Sequence, residues 1–144
     1  GWRVGFAVGN TDAVAAVTKL KSYIDYGTFQ PIQIASTVAL NELDDYPFEL
    51  SAVYKERREL VVEHLEDLDF NVQESDATMF VWAKLPEKFK KDSLKFSLDI
   101  LEKSNVAVSP GVGFGKFGEG YIRIALVENK QRIRQAMKNI KAAL

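Results

Sequence analysis

The 144-residue sequence has no cysteine. That excludes disulfides, thiolate nucleophiles and cysteine-ligated metal sites. It has one histidine, His64. A transition-metal centre would have to rest on that imidazole plus carboxylates, and a Ser-His-Asp arrangement would have to be built around it. His64 falls in a charged, helix-patterned stretch, where a polar side chain is ordinarily a solvated edge residue, so both chemistries are set aside. No apolar run is long enough to span a bilayer, and no signal-peptide pattern is read in it. Neither sign of charge dominates. The net charge of −1 supplies no global field to attract nucleic acid or a membrane surface, and neither is expected as a partner. Internal repeats and low-complexity segments are lacking as well.

What is present has the balance of a globular domain. Apolar residues make up 47% and charged residues 27%, enough to build a core without metals or crosslinks. No methionine opens the chain, which begins directly in a strand-like run and is expected to be a piece of a longer protein. Over residues 2–8, Trp2, Val4, Phe6 and Val8 alternate with Arg3, Gly5 and Ala7, which predicts a strand. Thr11 is placed as a helix cap, and Val14, Val17, Leu20 and Ile24 keep helical spacing up to a stop at Gly27. A second helix is predicted from Pro31 to near residue 43, apolar around much of its circumference and hence well buried. Residues 44–47 break the pattern and set the expected boundary between a first part, 1–45, and a second, 46–144. The second part predicts a helix over 48–67, a short strand at Phe70 and Val72, and a strand over 78–85 that is apolar on both faces and therefore central. A helix follows from Asp92 or Ser93 to near residue 103, with Leu94, Leu98 and Leu101 inward. Then come a short strand over 106–109, the strand that carries Arg123, and a final helix over 129–144 with Ile133, Ala136, Met137, Ile140 and Leu144 inward. The fold class is α/β, of an α+β-like two-layer kind. About four strands pack against helices, and one strand and two helices precede them.

Residues 111–127 read Gly-Val-Gly-Phe-Gly-Lys-Phe-Gly-Glu-Gly-Tyr-Ile-Arg-Ile-Ala-Leu-Val, a glycine-rich loop running into a short apolar strand. Alternation puts Tyr121, Arg123, Ala125 and Val127 on one face and Ile122, Ile124 and Leu126 on the other. A guanidinium on such a strand needs a partner, and its planar fork suits a carboxylate or a phosphate. The alternative is a structural ion pair, or a side chain that reaches out to water. The Gly-x-Gly-x-Gly spacing at Gly111, Gly113 and Gly115 is not a dinucleotide fingerprint, because it leads into a strand rather than a helix. Gly115-Lys116-Phe117 also lacks the Ser or Thr of a phosphate loop. The default for the glycines is a tight, flexible surface loop. No carboxylate pair has a spacing that marks a general acid and base, and no lysine stands out as a nucleophile.

Five segments together resemble the pyridoxal-phosphate aminotransferases of classes I and II, enzymes of fold type I, nearly end to end and in the family's order. Gly1-Trp2-Arg3-Val4-Gly5-Phe6-Ala7-Val8-Gly9-Asn10 resembles the segment that follows the family's cofactor-binding lysine. Tyr26-Gly27-Thr28-Phe29-Gln30-Pro31-Ile32-Gln33 is similar to a stretch of the alanine-, aspartate- and diaminopimelate-type branch. Tyr54, Arg57 and Arg58 match the long helix entering the small domain, and Thr78-Met79-Phe80-Val81-Trp82 matches its central strand. Ser109-Pro110-Gly111, Phe114, Gly115, Gly118 and Tyr121-Ile122-Arg123-Ile124 match its last segment.

Carried over residue by residue, the resemblance implies that Arg3 grips the phosphate of pyridoxal 5'-phosphate, that Arg123 binds the substrate α-carboxylate, and that Phe80 lies near the substrate. It implies a cytoplasmic, homodimeric enzyme that moves an amino group between an amino acid and a 2-oxo acid. Residues 1–45 would be the end of the large domain with its connecting helices, and residues 46–144 the small C-terminal domain. One departure is decisive. The family's cofactor-carrying lysine lies a few residues ahead of the segment that opens this chain, and no lysine present takes its place by position. The chain is therefore expected to be a C-terminal portion that does not catalyse by itself. The other reading is a non-catalytic ligand-binding or interaction domain that shares the small-domain fold.

Overall fold

The computed structural model describes residues 3–89 and 92–144. The chain divides into two compact units, Gly1–Pro47 and Phe48–Leu144.

The first unit holds helices α1 (Thr11–Ile24) and α2 (Gln30–Glu42). The cap of α1 is Asn10 rather than Thr11. Its side-chain oxygen accepts from the backbone N–H groups of Asp12 and Ala13, each at 3.0 Å. Pro31 sits in the first turn of α2, where its missing N–H is no loss. Neither helix has a buried residue, which corrects the burial predicted for the second one. Two helices and an extended segment offer too little surface to cover Ile34, Val38 and Leu40, which stay exposed. The strand expected over 2–8 is not found in its described part, residues 3–8, and Trp2 lies outside the described residues. A strand needs a hydrogen-bonded neighbour, and every paired strand among the described residues lies in the second unit.

The second unit is built from helices α3 (Tyr46–Glu66, from Phe48 onward), α4 (Ser93–Ser104) and α5 (Lys130–Ala143) and strands β1 (Asn71–Val72), β2 (Phe80–Lys84), β3 (Ser109–Pro110) and β4 (Tyr121–Ala125). The four strands form one antiparallel sheet in the order β1-β2-β4-β3. Val81, Ala83, Leu85, Ile122 and Leu126 present one face of the sheet to Val61 and Leu65 of α3, Phe96 and Ile100 of α4, and Ile133, Met137 and Ile140 of α5. This is the expected two-layer arrangement with four strands. Each of these apolar side chains stabilises the unit by about 1.5–3 kcal/mol on burial. The strand β2 is central, as predicted, but only one of its faces is core. The other, with Phe80, Trp82 and Lys84, is half-buried.

The inward face of α4 differs from the one its leucines predict. Ser93, Phe96, Ser97, Ile100 and Ser104 are buried, while Leu94, Leu98 and Leu101 are exposed. Serines let this helix approach its neighbours β3, β4 and α5 closely. Their hydroxyls remain satisfied: Ser97 donates to the Ser93 carbonyl at 2.9 Å and Ser104 to the Ile100 carbonyl at 2.6 Å. The C-terminal helix follows its prediction. Asn129 caps it, and Ile133, Met137 and Ile140 are buried.

Candidate functional site: an aromatic-flanked arginine

Arg123 lies mid-strand in β4, directly opposite Trp82 on one side and Ser109 on the other. The backbone beneath it is thus held by neighbours on both edges. Ile122 beside it points into the core, so alternation turns Arg123 to the open face, with Phe80, Trp82 and Tyr121. Its guanidinium carbon lies 4.1 Å from the ring centroid of Phe80 and 4.2 Å from that of Phe114. Trp82 extends the aromatic surface. It stacks on Tyr121 with centroids 5.5 Å apart and planes 15° apart, and meets Phe114 edge-on at 5.6 Å. Each ring over the cation contributes about 0.5–2 kcal/mol, depending on how far water is excluded.

Cation–π contacts leave the N–H donors unused. Among the described residues the Arg123 side chain makes no ion pair or hydrogen bond. A half-buried guanidinium with a planar donor fork, flanked by rings and without a carboxylate of its own, is equipped to take an external planar anion. The structure therefore brings Arg123 and Phe80 together. Arg3 lies in the other unit, exposed, with no hydrogen bond or ion pair among the described residues.

The glycine-rich segment is more constrained than a flexible loop. It forms two consecutive 3-10 turns, Gly111–Phe114 and Lys116–Gly118. Its ends touch backbone to backbone. A Cβ on Gly111 would stand 2.0 Å from the Gly118 carbonyl oxygen, and one on Gly118 would stand 2.0 Å from that of Gly111. No side chain fits there, which gives both glycines a steric reason. The segment is also tied to α4. The Ser93 hydroxyl accepts from the Val112 N–H at 3.2 Å, and one Glu119 carboxylate oxygen accepts from Ser93 N at 2.6 Å and Gly120 N at 2.9 Å. These two bonds, that to Ser93 first, hold the Glu119 carboxyl below its ordinary value. Alternation had put Tyr121 on the Arg123 face, but Phe114, Trp82, Ser93 and Glu119 were not legible as parts of this site. The one available signal was an aromatic residue inside a glycine run.

Arg57, Arg58 and His64 have partners within the fold. Arg57 donates to the Leu126 carbonyl at 2.8 Å and lies over Tyr54, while Arg58 donates to the Ser75 carbonyl. His64 is half-buried, with Nδ1 2.8 Å from the Leu60 carbonyl oxygen. A cavity of about 570 Å³ beside α3 is lined by Arg58, Glu63, Glu66, Glu74, Asp76 and Phe80, and its carboxylates disfavour a further anion. Among the described residues no His, Asp or Glu group could hold a metal, and no helix is long and apolar enough to cross a membrane.

The profile of the family described as "Aminotransferase class I and II" matches residues 1–140. The LL-diaminopimelate aminotransferase of Natranaerobius thermophilus is 48% identical over 140 residues, which is 97% of this chain and 36% of that protein. The glutamate-pyruvate aminotransferase AlaC of Escherichia coli K12 is 45% identical over 143 residues, 99% of this chain and 35% of its own length. An aminotransferase structure from Staphylococcus aureus superposes with a TM-score of 0.85 at 31% identity, over 94% of this chain and 36% of that one. The chain thus spans about a third of the length of the relatives it matches.

Proposed function

The chain belongs to the class I and II aminotransferases, a class whose cofactor is pyridoxal 5'-phosphate, and we propose that it forms the substrate-carboxylate-binding portion of such an enzyme. The whole protein moves an amino group between an amino acid and a 2-oxo acid. The observation that carries this reading is Arg123: a guanidinium set in a sheet, flanked by Phe80 and Phe114, with no carboxylate partner among the described residues. Amino-acid and 2-oxo-acid substrates share an α-carboxylate, and two parallel N–H···O bonds from the guanidinium hold it in a fixed plane. Phe80 and Phe114 limit water around the guanidinium, which strengthens the pair. Fixing the carboxylate fixes the α-carbon beside it, and that is the positional contribution this chain makes.

Pyridoxal phosphate, when bound, supplies the electron sink for the reaction. Among the chain's own residues Arg3 fits its phosphate by donor chemistry, being an exposed planar cation with its donors uncommitted. Residues 1–45 then belong to the large domain and its connecting helices, and residues 46–144 are the small domain. The chain alone is inactive, because the cofactor-carrying lysine belongs to the rest of the enzyme. The same reading makes the full-length protein a cytoplasmic homodimer. The exposed apolar side chains of the first unit, Phe6, Val8, Tyr23 and Ile24 among them, support a covering surface from elsewhere in that assembly.

The test is Arg123→Ala in the full-length protein. Losing two charge-assisted hydrogen bonds, about 3 kcal/mol together, raises the KM for amino acid and 2-oxo acid alike by about 100-fold. Steady-state kinetics with both substrates measures it, and an unchanged KM removes Arg123 from the site.

A further inference from the structure

We propose that Glu119 is a positioning residue for Arg123. Resting on the assignment of Arg123 to the substrate carboxylate, it holds the glycine-rich segment so that the Phe114 ring stays against the guanidinium. Phe114 itself is half exposed, at 51% of its surface, so burial does not hold it in place. Its position is inherited from the segment that carries it. That segment leaves the sheet at β3 and returns at β4, and its two ends meet at the Gly111–Gly118 backbone contact.

Glu119 fastens this closed segment to the start of α4. One oxygen takes both the Ser93 and the Gly120 N–H groups, and the Ser93 hydroxyl takes that of Val112. Ser93 is fully buried, so the anchor point is rigid. A carboxylate at the first turn of α4 also meets the positive end of the helix, where Asp92 accepts from Lys95 N. On the other side of the closed segment, the Leu85 N–H donates to the Gly120 carbonyl at 2.8 Å, locking the segment to the end of β2. The chain of contacts runs from Glu119 through Ser93 and Val112 to the turn that ends at Phe114. Without the carboxylate, two N–H groups and a helix start lose their common acceptor. The turn is then free to shift, and the ring moves off Arg123.

The experiment uses the full-length protein and compares KM and kcat for an amino-acid donor and a 2-oxo-acid acceptor in wild type, Glu119→Ala, Glu119→Gln, Ser93→Ala, Phe114→Ala and the Glu119→Ala/Phe114→Ala double variant, with Arg123→Ala alongside. The expected result is a KM about 10-fold higher for Glu119→Ala, with kcat within about threefold, as for loss of carboxylate binding rather than of chemistry. Glu119→Gln restores KM, because one amide oxygen can accept both N–H groups. Ser93→Ala removes only the hydroxyl and moves KM in the same direction, which keeps the test open should Glu119→Ala fail to fold. The double variant has the KM of Phe114→Ala, because both changes act through one ring.

An unchanged KM in Glu119→Ala or, if that protein does not fold, in Ser93→Ala, beside a raised KM in Arg123→Ala, overturns the positioning role and leaves the carboxylate site standing. Single effects that multiply in the double variant place Glu119's influence somewhere other than Phe114 and overturn it equally. An unchanged KM in Arg123→Ala overturns both readings.

Discussion

A guanidinium covered by phenyl rings is held in place without using its donors, and that separates Arg123 from the other arginines of the second unit that bond to backbone. Arg57 and Arg58 give N–H groups to backbone carbonyls and thereby join α3 to the residue after β4 and to the connection between β1 and β2. Arg123 has Phe80 and Phe114 instead. At the same scale Glu119 makes a prediction about pH. Its carboxyl is held below the ordinary value by the Ser93 and Gly120 N–H groups, so the folded state binds the proton less readily than the unfolded chain. Stability from this group is present in full above the ordinary carboxylate value of 4.5 and is lost as pH falls below it through the depressed folded value. Amide hydrogen exchange at Ser93 and Gly120, taken relative to the intrinsic exchange rate at each pH, therefore rises on acidification in the wild type, and Glu119→Gln removes that loss of protection. Equal pH dependence in the two proteins would show that the carboxylate is not the acceptor that matters.

At the level of elements, the strands and helices of the second unit were legible because each buries one face and its spacing records which. Alternation along β4 put Arg123 opposite the core residues Ile122 and Ile124. The period of α5 named Ile133, Met137 and Ile140. The aromatic flank of Arg123 was not legible as an assembly, because Phe80 and Phe114 reach it from a different strand and a different turn. Only the register of β2 on β4 and the fold of the glycine segment bring them together. The helix α4 failed for another reason. Hydrophobic phase assumes that leucine marks the inside, and here close packing selected serines whose hydroxyls bond one turn back. The consequence inverts the usual expectation for the 144-residue chain. Ser97→Leu forces three carbons into the place of one hydroxyl oxygen in a closed interface and destabilises by about 1–3 kcal/mol. Leu98→Ser, one residue on and 56% exposed, stays within about 0.5 kcal/mol of the parent. Urea unfolding midpoints of the two variants decide it, and a larger loss for Leu98→Ser would mean that the leucine face is the packed one.

For the whole molecule the governing fact is the unequal distribution of core. Among the described residues, all the buried hydrophobic ones, from Val61 to Ile140, belong to Phe48–Leu144, and the two helices of Gly1–Pro47 bury none. The strand not found over residues 3–8 and the unburied second helix share one cause: neither has a neighbour to pair or pack with among the described residues. In relatives of which this chain spans about a third, most of the structure lies outside the matched part. A unit with exposed Phe6, Tyr23, Ile24 and Phe29 has little free energy opposing local opening, because the apolar area removed from water on folding is small. Limited proteolysis of the 144-residue chain should therefore cut within residues 3–47 well before it cuts beyond Phe48, leaving a resistant fragment that begins in α3. In the full-length protein the same bonds should be protected, since the surface that covers those side chains is then present. Mass spectrometry of the time course reads both results. Early cleavage within α4 or α5 of the isolated chain would contradict the assignment of its stability to the second unit. Equal rates in residues 3–47 of the isolated and full-length proteins would contradict the proposal that the rest of an aminotransferase covers this face.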